Sequence, residues 1–260
     1  MTHKSVAQAE ASPWDEHAPS NAFERASREY ADLRPDYPRA SVQAALGSSK
    51  PGLKVADIGA GTGKFTRALV ELGADVTAVE PAQAMRLQLE TTLAEIAQLR
   101  VREGTAENTG LESHTFDVVT YAQCWHWLDT EAACAEAVRI LKPGGRLAII
   151  FNQIDVSEHW AHRLTRIMRS GDIQRPHKPP RITAAFTEPQ LHMVTFTTAL
   201  TPAQTLGLAR TRSSYLKSTP ANRERMQNNL RWYLHDHLGY GSSDLIEIPY
   251  YTLTWTSALR

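Results

Sequence analysis

Three glycines stand at alternate positions in Asp57-Ile58-Gly59-Ala60-Gly61-Thr62-Gly63. Glycine tolerates positive φ and lets backbone approach a ligand with no Cβ between them, so such a run can cradle a polar small molecule where a strand becomes a helix. A dinucleotide fingerprint GxGxxG would need its third glycine at position 64, which is Lys64. Asp57, two residues before the first glycine, would repel a pyrophosphate and attract a ligand with an amino group or a sulfonium. Glu80 follows Gly59 by 21 residues, at the end of the next apolar run, where a carboxylate can accept hydrogen bonds from both hydroxyls of a ribose. Together these residues point to an adenosine ligand without phosphates and away from a nicotinamide dinucleotide.

A second group with usable chemistry is Trp125-His126-Trp127. An imidazole titrates near neutrality, so His126 suits a general base for a hydroxyl acceptor; it equally suits a ring held structurally between two tryptophans. Trp125 is expected beside the acceptor. Between 201 and 240 six cations, Arg210, Arg212, Lys217, Arg223, Arg225 and Arg231, face only Glu224 and Asp236. If Arg212, Ser213 and Tyr215 turn inward they suit an anionic acceptor such as a carboxylate, and if they turn outward they are a solvated face. His235 and His237 diverge on a helix, and His159 and His162 lack a third ligand, so no metal is expected.

The elements that must carry these residues alternate in type. Strand-like runs at 54–58, 75–79, 99–103, 116–121 and 146–151 are separated by helical patterns at 63–72, 82–97 and 131–141, with Lys142-Pro143-Gly144-Gly145 as a turn. Such alternation implies parallel strands joined by right-handed crossovers, a doubly wound α/β sheet. The glycine run and the Trp125-His126-Trp127 run then both fall at strand ends, where open α/β sheets bind ligands. Upstream, 1–20 has no apolar periodicity and reads as a flexible tail. Helices are expected over 21–33, with Phe23, Ala26 and Tyr30 on one face, and over 38–46. Pro35 stops the first of them and leaves Arg34 and Tyr37 on an exposed corner. Downstream, 159–169 reads as a helix, 172–181 as a Pro-rich loop, and 191–200 and 249–256 as strands. Thr201-Pro202 and Thr219-Pro220 each place an N-cap before a proline, predicting two helices between those strands, the second closed by Gly239. Residues 51–200 and 241–260 therefore form a core, 21–50 closes over the ligand, and 201–240 is a helical cap on an antiparallel sheet edge.

Composition bounds the rest. The chain has 260 residues with 28 Lys+Arg and 28 Asp+Glu, a balance that argues against a dedicated nucleic-acid or acidic-membrane binder. Two cysteines, Cys124 and Cys134, give no disulfide framework or zinc spacing and suit a reduced, cytoplasmic setting. The longest purely apolar run, 147–151, is far short of the roughly 20 residues of a membrane span. The polar start carries Asp15 and Glu16 where a secretory signal would be apolar.

Asp57 to Gly63, Val79-Glu80-Pro81, Gly104-Thr105-Ala106-Glu107 and Leu141-Lys142-Pro143-Gly144-Gly145, in that order, resemble the class I S-adenosylmethionine-dependent methyltransferases. Tyr30 to Pro38 and Ala122-Gln123-Cys124-Trp125-His126-Trp127 resemble their small-molecule branch, which includes trans-aconitate methyltransferase-like proteins. The resemblance implies a Rossmann-like seven-stranded sheet with an antiparallel last strand and S-adenosylmethionine as cofactor. It implies that Asp57, Gly59, Ala60, Gly61, Thr62 and Gly63 hold the methionine part and Glu80 the ribose. Pro81 and Met85, with Thr105, Ala106 and Glu107, would surround the adenine. Tyr30, Arg34 and Gln123 complete the cofactor contacts, with Arg34 able to pair with the methionine carboxylate. The family often carries Asp where this chain has Thr105, whose hydroxyl can still accept a hydrogen bond. The expected reaction is methyl transfer to a small acceptor, a carboxylate or a hydroxyl, by a monomer or homodimer. Rival readings are a nicotinamide dehydrogenase, an RNA methyltransferase and a cofactor-binding protein without turnover. The Asn/Asp-Pro-Pro-aromatic loop of base-amino methyltransferases is replaced here by Ala122-Gln123-Cys124-Trp125.

Overall fold

The structure, a computed structural model, describes residues 31–171 and 174–260. The expected tail over 1–20 and most of the first helix, with Phe23 and Tyr30, lie outside the described residues.

Seven strands, β1 (Lys54–Ile58), β2 (Asp75–Val79), β3 (Leu99–Arg102), β4 (Phe116–Ala122), β5 (Leu141–Ile154), β6 (Gln190–Leu200) and β7 (Ile246–Ala258), form one sheet. Their order is β3-β2-β1-β4-β5-β7-β6. The β1–β2, β1–β4, β2–β3 and β4–β5 pairs are parallel, and β7 runs antiparallel to β5 and β6. The order reverses between β1 and β4, so the carboxyl ends of those two strands open a crevice at a topological switch point.

Alternation along the strands decides which helices cover which face. Ala148 and Ile150 of β5 point to one side, with α1 (Arg39–Leu46) and α2 (Lys64–Glu71) packed there through Val42, Phe65 and Leu69. Leu147, Ile149 and Phe151 point to the other, against Ala133, Ala137 and Ile140 of α4 (Thr130–Ile140). Both faces are covered, which is the doubly wound arrangement read from the sequence. Helix α3 (Gln83–Thr92) stops short of the expected 97 because Leu93 and Ile96 turn toward the sheet and pack beside Leu89, Leu99 and Val101. Strand β5 outgrows its expected span of 146–151 at both ends, with Leu141 paired to Phe116 of β4 at one end and Asn152, Gln153 and Ile154 paired to β7 at the other.

The cap is built from three helices where two were expected: α6 (Pro202–Arg210), α7 (Ser213–Leu216) and α8 (Pro220–Arg231). Both threonine caps form. Thr201 makes a full capping box with Gln204, and the Thr219 side chain accepts from Asn222 N–H. Helix α8 runs into a π-helical turn, Trp232–His237. The cap shares an apolar core with α5 (His159–Met168) and the far strands, through Leu164, Met168, Leu208, Leu230, Leu234 and Ile248. Residues 31–33 are helical, and Leu33 belongs to the same cluster. It fits a notch at Gly207, where a Cβ would come within 2.4 Å of Leu33 Cδ1.

Candidate functional site

The glycine run bends at the carboxyl end of β1 with positive φ at Gly59, Gly61 and Gly63 (68°, 58° and 84°), as a left-handed backbone requires of glycine. Gly59 and Ala60 donate to Val79 O at 2.8 and 3.1 Å, which fixes the loop to the end of β2. A Cβ on Gly59 would stand 2.9 Å from Cys124 Sγ, so glycine is demanded by packing as well as by φ. Lys64, where a dinucleotide loop has glycine, opens α2 and pairs with Asp36 at 2.6 Å, fastening the loop to the segment before α1.

Asp57 corrects the expectation that its carboxylate faces the ligand. The side chain is fully buried and accepts from Thr66 Oγ1 at 2.6 Å and Thr120 Oγ1 at 2.8 Å, under the loop. Burial raises its pKa to about 6, and the two hydroxyls offset only part of that. Its role in the described residues is to tie β1, β4 and α2 together beneath the loop. Glu80 is positioned as expected at the end of β2. It accepts from Gly61 N–H at 2.8 Å and Ala82 N–H at 2.9 Å, and burial raises its pKa against those bonds. Thr62 Oγ1 is buried with no hydrogen-bond partner among the described residues. An orphaned hydroxyl inside a glycine cradle fits a polar ligand there.

Two cavities meet above this floor. A narrow one of about 60 Å3 is lined by Gly59, Ala60, Gly61, Thr62, Tyr37 and Tyr250, among others. A larger one of about 650 Å3 is lined by His126, Trp127, Phe151, Gln153, Ser213 and Lys217, among others. Arg34, Gln123 and Arg212 stand in the walls of both. Gln123 reaches that junction at φ 62°, a left-handed conformation that costs a non-glycine residue roughly 1 kcal/mol. It is held by Gln123 N–H to Ile150 O and Gln123 Nε2 to Asn152 O, both 2.9 Å. Arg34 donates to Thr211 Oγ1 at 3.0 Å and Thr211 O at 2.9 Å, which joins the N-terminal segment to the cap. Arg212 is buried, 6% exposed, with Nη1 donating to Ser170 O at 3.2 Å.

The remaining expected residues divide. His126 lines the larger cavity beside Phe151 and Trp127, and partial desolvation holds its pKa below the ordinary imidazole value, so it is neutral at pH 7. Trp125, expected at the acceptor, is instead a core residue. Its ring meets Tyr121 edge-on at 4.9 Å and its Nε1 donates to Arg181 O. The tryptophan in the cavity wall is Trp127, whose ring carries Lys217 Nζ at 4.6 Å. Tyr215 packs against the cap cluster under the Arg223 guanidinium rather than lining either cavity, while Ser213 does line the larger one. Met85 also lines the larger cavity, its Sδ 3.8 Å from where a Gly61 Cβ would stand. Pro81 O accepts from Arg86 at 2.7 Å. Thr105 accepts from Asn108 N–H in a turn, Ala106 is buried, and Glu107 accepts from Asp129 N–H. Asn152, Tyr37, Tyr250, Trp127, Lys217 and Arg169 were not assigned to the site by sequence reasoning. Trp127 carried a signal in the run with His126, Lys217 as a cation of the cap and Tyr37 on the corner after Pro35, while Asn152, Tyr250 and Arg169 carried none. Among the described residues no group of three or more His, Cys, Asp or Glu could hold a metal, and no helix is long and apolar enough to cross a membrane.

A sheet of this order, with a glycine cradle and an acidic residue closing β2, defines a Rossmann-like α/β protein whose ligand site lies at the strand carboxyl ends, and Lys64 stands where a pyrophosphate loop requires glycine. The comparisons agree. Residues 56–149 match the family described as Methyltransferase domain. An uncharacterized methyltransferase of Mycobacterium tuberculosis is 36% identical over 237 residues, 90% of this chain and 94% of that protein. The malonyl-[acyl-carrier protein] O-methyltransferase of Serratia marcescens is 32% identical over 144 residues, 54% of each chain. A solved structure from Anaeromyxobacter dehalogenans, assigned provisionally to the type II methyltransferases, superposes with a TM-score of 0.61 at 22% identity, covering 87% of this chain and 97% of that one. The chain belongs to the class I S-adenosylmethionine-dependent methyltransferases.

Proposed function

We propose that this methyltransferase acts on a small anionic acceptor and transfers the methyl group to a carboxylate oxygen. The observation that carries this reading is the charge of the larger cavity. Arg34, Arg169, Arg212 and Lys217 are in its wall, and no carboxylate is among its described lining residues. Arg212 is buried at the junction with the donor cavity, where a guanidinium fork can hold an acceptor carboxylate bidentately. Similarity to the malonyl-[acyl-carrier protein] O-methyltransferase over half the chain is in keeping with this chemistry. So is the resemblance to the trans-aconitate methyltransferase-like branch.

S-adenosylmethionine, when bound, supplies an activated methyl group on a sulfonium. The residues that would hold it are the 59–63 backbone and Thr62, with Glu80 turning its carboxylate from Gly61 and Ala82 to the ribose and Arg34 near the amino-acid part. Asp57 acts from beneath by fixing the loop. Phe151 and the cap exclude water, and Arg212 with Gln123 sets the acceptor at the junction. A carboxylate acceptor gives up no proton as its oxygen–methyl bond forms and the carbon–sulfur bond breaks, so no base is needed. For a hydroxyl acceptor the proton would pass to neutral His126.

The test is a screen that follows S-adenosylhomocysteine release with small mono- and dicarboxylic acids, phenols and primary amines. Turnover with acids, giving base-labile methyl esters, is expected. Turnover confined to amines or phenols overturns the carboxylate assignment.

A further inference from the structure

A third cavity, about 620 Å3, lies between α5 and α8, and methyl transfer makes no use of it. Along α5, His159, His162, Arg163 and Arg166 follow the i, i+3, i+4, i+7 spacing of one helix face. Across from them α8 presents Asn222, Arg225 and Asn229, again three and four residues apart. Ile167 and Met226 make the floor apolar.

Arg169, the αL residue that ends α5 with φ 47°, stands in the wall of this groove and of the acceptor cavity. The described lining therefore holds four guanidiniums and two imidazoles, and no Asp or Glu, in a chain whose Lys+Arg and Asp+Glu counts are equal. Solvated helix faces ordinarily interleave acids at these spacings, because like charges at i, i+4 repel. The arrangement is also partly fixed in place: the Arg163 guanidinium lies 5.2 Å from the Tyr233 ring centroid and 5.6 Å from that of Trp232.

We infer that the α5–α8 groove is a phosphate site, taking the phosphate monoester or diphosphate end of a small ligand. The donor set selects that chemistry. A carboxylate has two oxygens and one charge and saturates a single guanidinium fork. Several forks flanked by the Asn222 and Asn229 amides match a group with more oxygens and at least two charges. A volume of about 620 Å3 suits a small ligand with an apolar portion on the Ile167 and Met226 floor. Because Arg169 belongs to both walls, two sources share this chemistry: the distal phosphate of the acceptor itself, or a separate phosphorylated effector. The inference concerns binding and stands whether or not the acceptor is a carboxylate.

The experiment titrates pyrophosphate into the full chain saturated with S-adenosylhomocysteine, by calorimetry at low salt, with inorganic phosphate and a short single-stranded RNA as parallel probes. Retained affinity for S-adenosylhomocysteine reports that each variant is folded with its donor site intact. One pyrophosphate per chain is expected, bound roughly tenfold more weakly by Arg166→Gln and by Arg225→Gln, less weakened by Arg166→Lys, and unchanged in Arg212→Gln. Equal affinity in the wild type and both groove variants overturns the site. So does loss in Arg212→Gln alone, which would place the ion in the acceptor cavity, or RNA binding that pyrophosphate does not displace. With an active acceptor in hand, pyrophosphate that raises KM alone identifies the acceptor's own phosphate, and pyrophosphate that changes kcat identifies an effector.

Discussion

The two halves of the active cleft are made of different material. The donor half is backbone: the 59–63 loop is bonded to the end of β2, and Glu80 is held by two main-chain N–H groups. The acceptor half is side chain. Arg34, Gln123, Trp127, Arg212 and Lys217 converge on it from segments up to 183 residues apart in sequence. Backbone geometry tolerates few substitutions and fixes one ligand. A wall of long side chains can be exchanged residue by residue, so the same donor half can serve many acceptors.

Damage to each half should have separate readouts. Gly59→Val should have the largest effect, about a 1000-fold loss of S-adenosylhomocysteine affinity, roughly 4 kcal/mol. A side chain there meets Cys124 Sγ and demands a φ it cannot adopt cheaply. Calorimetric affinity within a few fold of wild type would break the backbone account. Arg212→Gln should lower kcat/KM toward carboxylic acids about 200-fold, near 3 kcal/mol for removing a buried cation from its partner, while S-adenosylhomocysteine affinity changes by only a few fold. A parallel fall in cofactor affinity would mean that the two halves are not separable.

Asp57 sharpens the contrast from below the loop. Its pKa is raised by burial from 3.8 to about 6, so the folded state holds this proton more tightly than the unfolded chain does. The stabilisation is fully present below pH 3.8 and is lost as pH rises through about 6, a change of roughly 2–3 kcal/mol. Denaturant midpoints of wild type and Asp57→Asn should therefore diverge in slope across that window, the asparagine variant being the flatter. Identical slopes would show that Asp57 ionises as an ordinary carboxylate. The smallest effect belongs to Lys217→Gln, which removes an exposed cation–π contact with Trp127 and should raise acceptor KM roughly threefold. A change in cofactor affinity instead would put Lys217 on the donor side.

The same division explains what could be read from the chain. Strands β1 and β2 and the glycine loop were legible because periodicity and glycine spacing are local properties. Thr201-Pro202 and Thr219-Pro220 marked cap helices for the same reason. The fate of Asp57 was not legible, since only the tertiary approach of Thr66 and Thr120 turns its carboxylate inward. Trp125 and Trp127 flank His126 symmetrically in sequence, yet a short 3-10 turn sends the first into the core and the second to the cavity. The basic residues of the cap were visible as composition. Which of them face the cleft depends on how α6 and α7 meet at Thr211 and Arg212.

Leu33 sits in the Gly207 notch, and Arg34 holds Thr211 one turn further along. The N-terminal segment and the cap are thereby latched to each other as well as to the sheet, and the latch spans the cavity that would hold the methyl donor. A change in either piece of chain is therefore felt at the wall of the donor cavity, because Arg34 belongs both to that wall and to the latch.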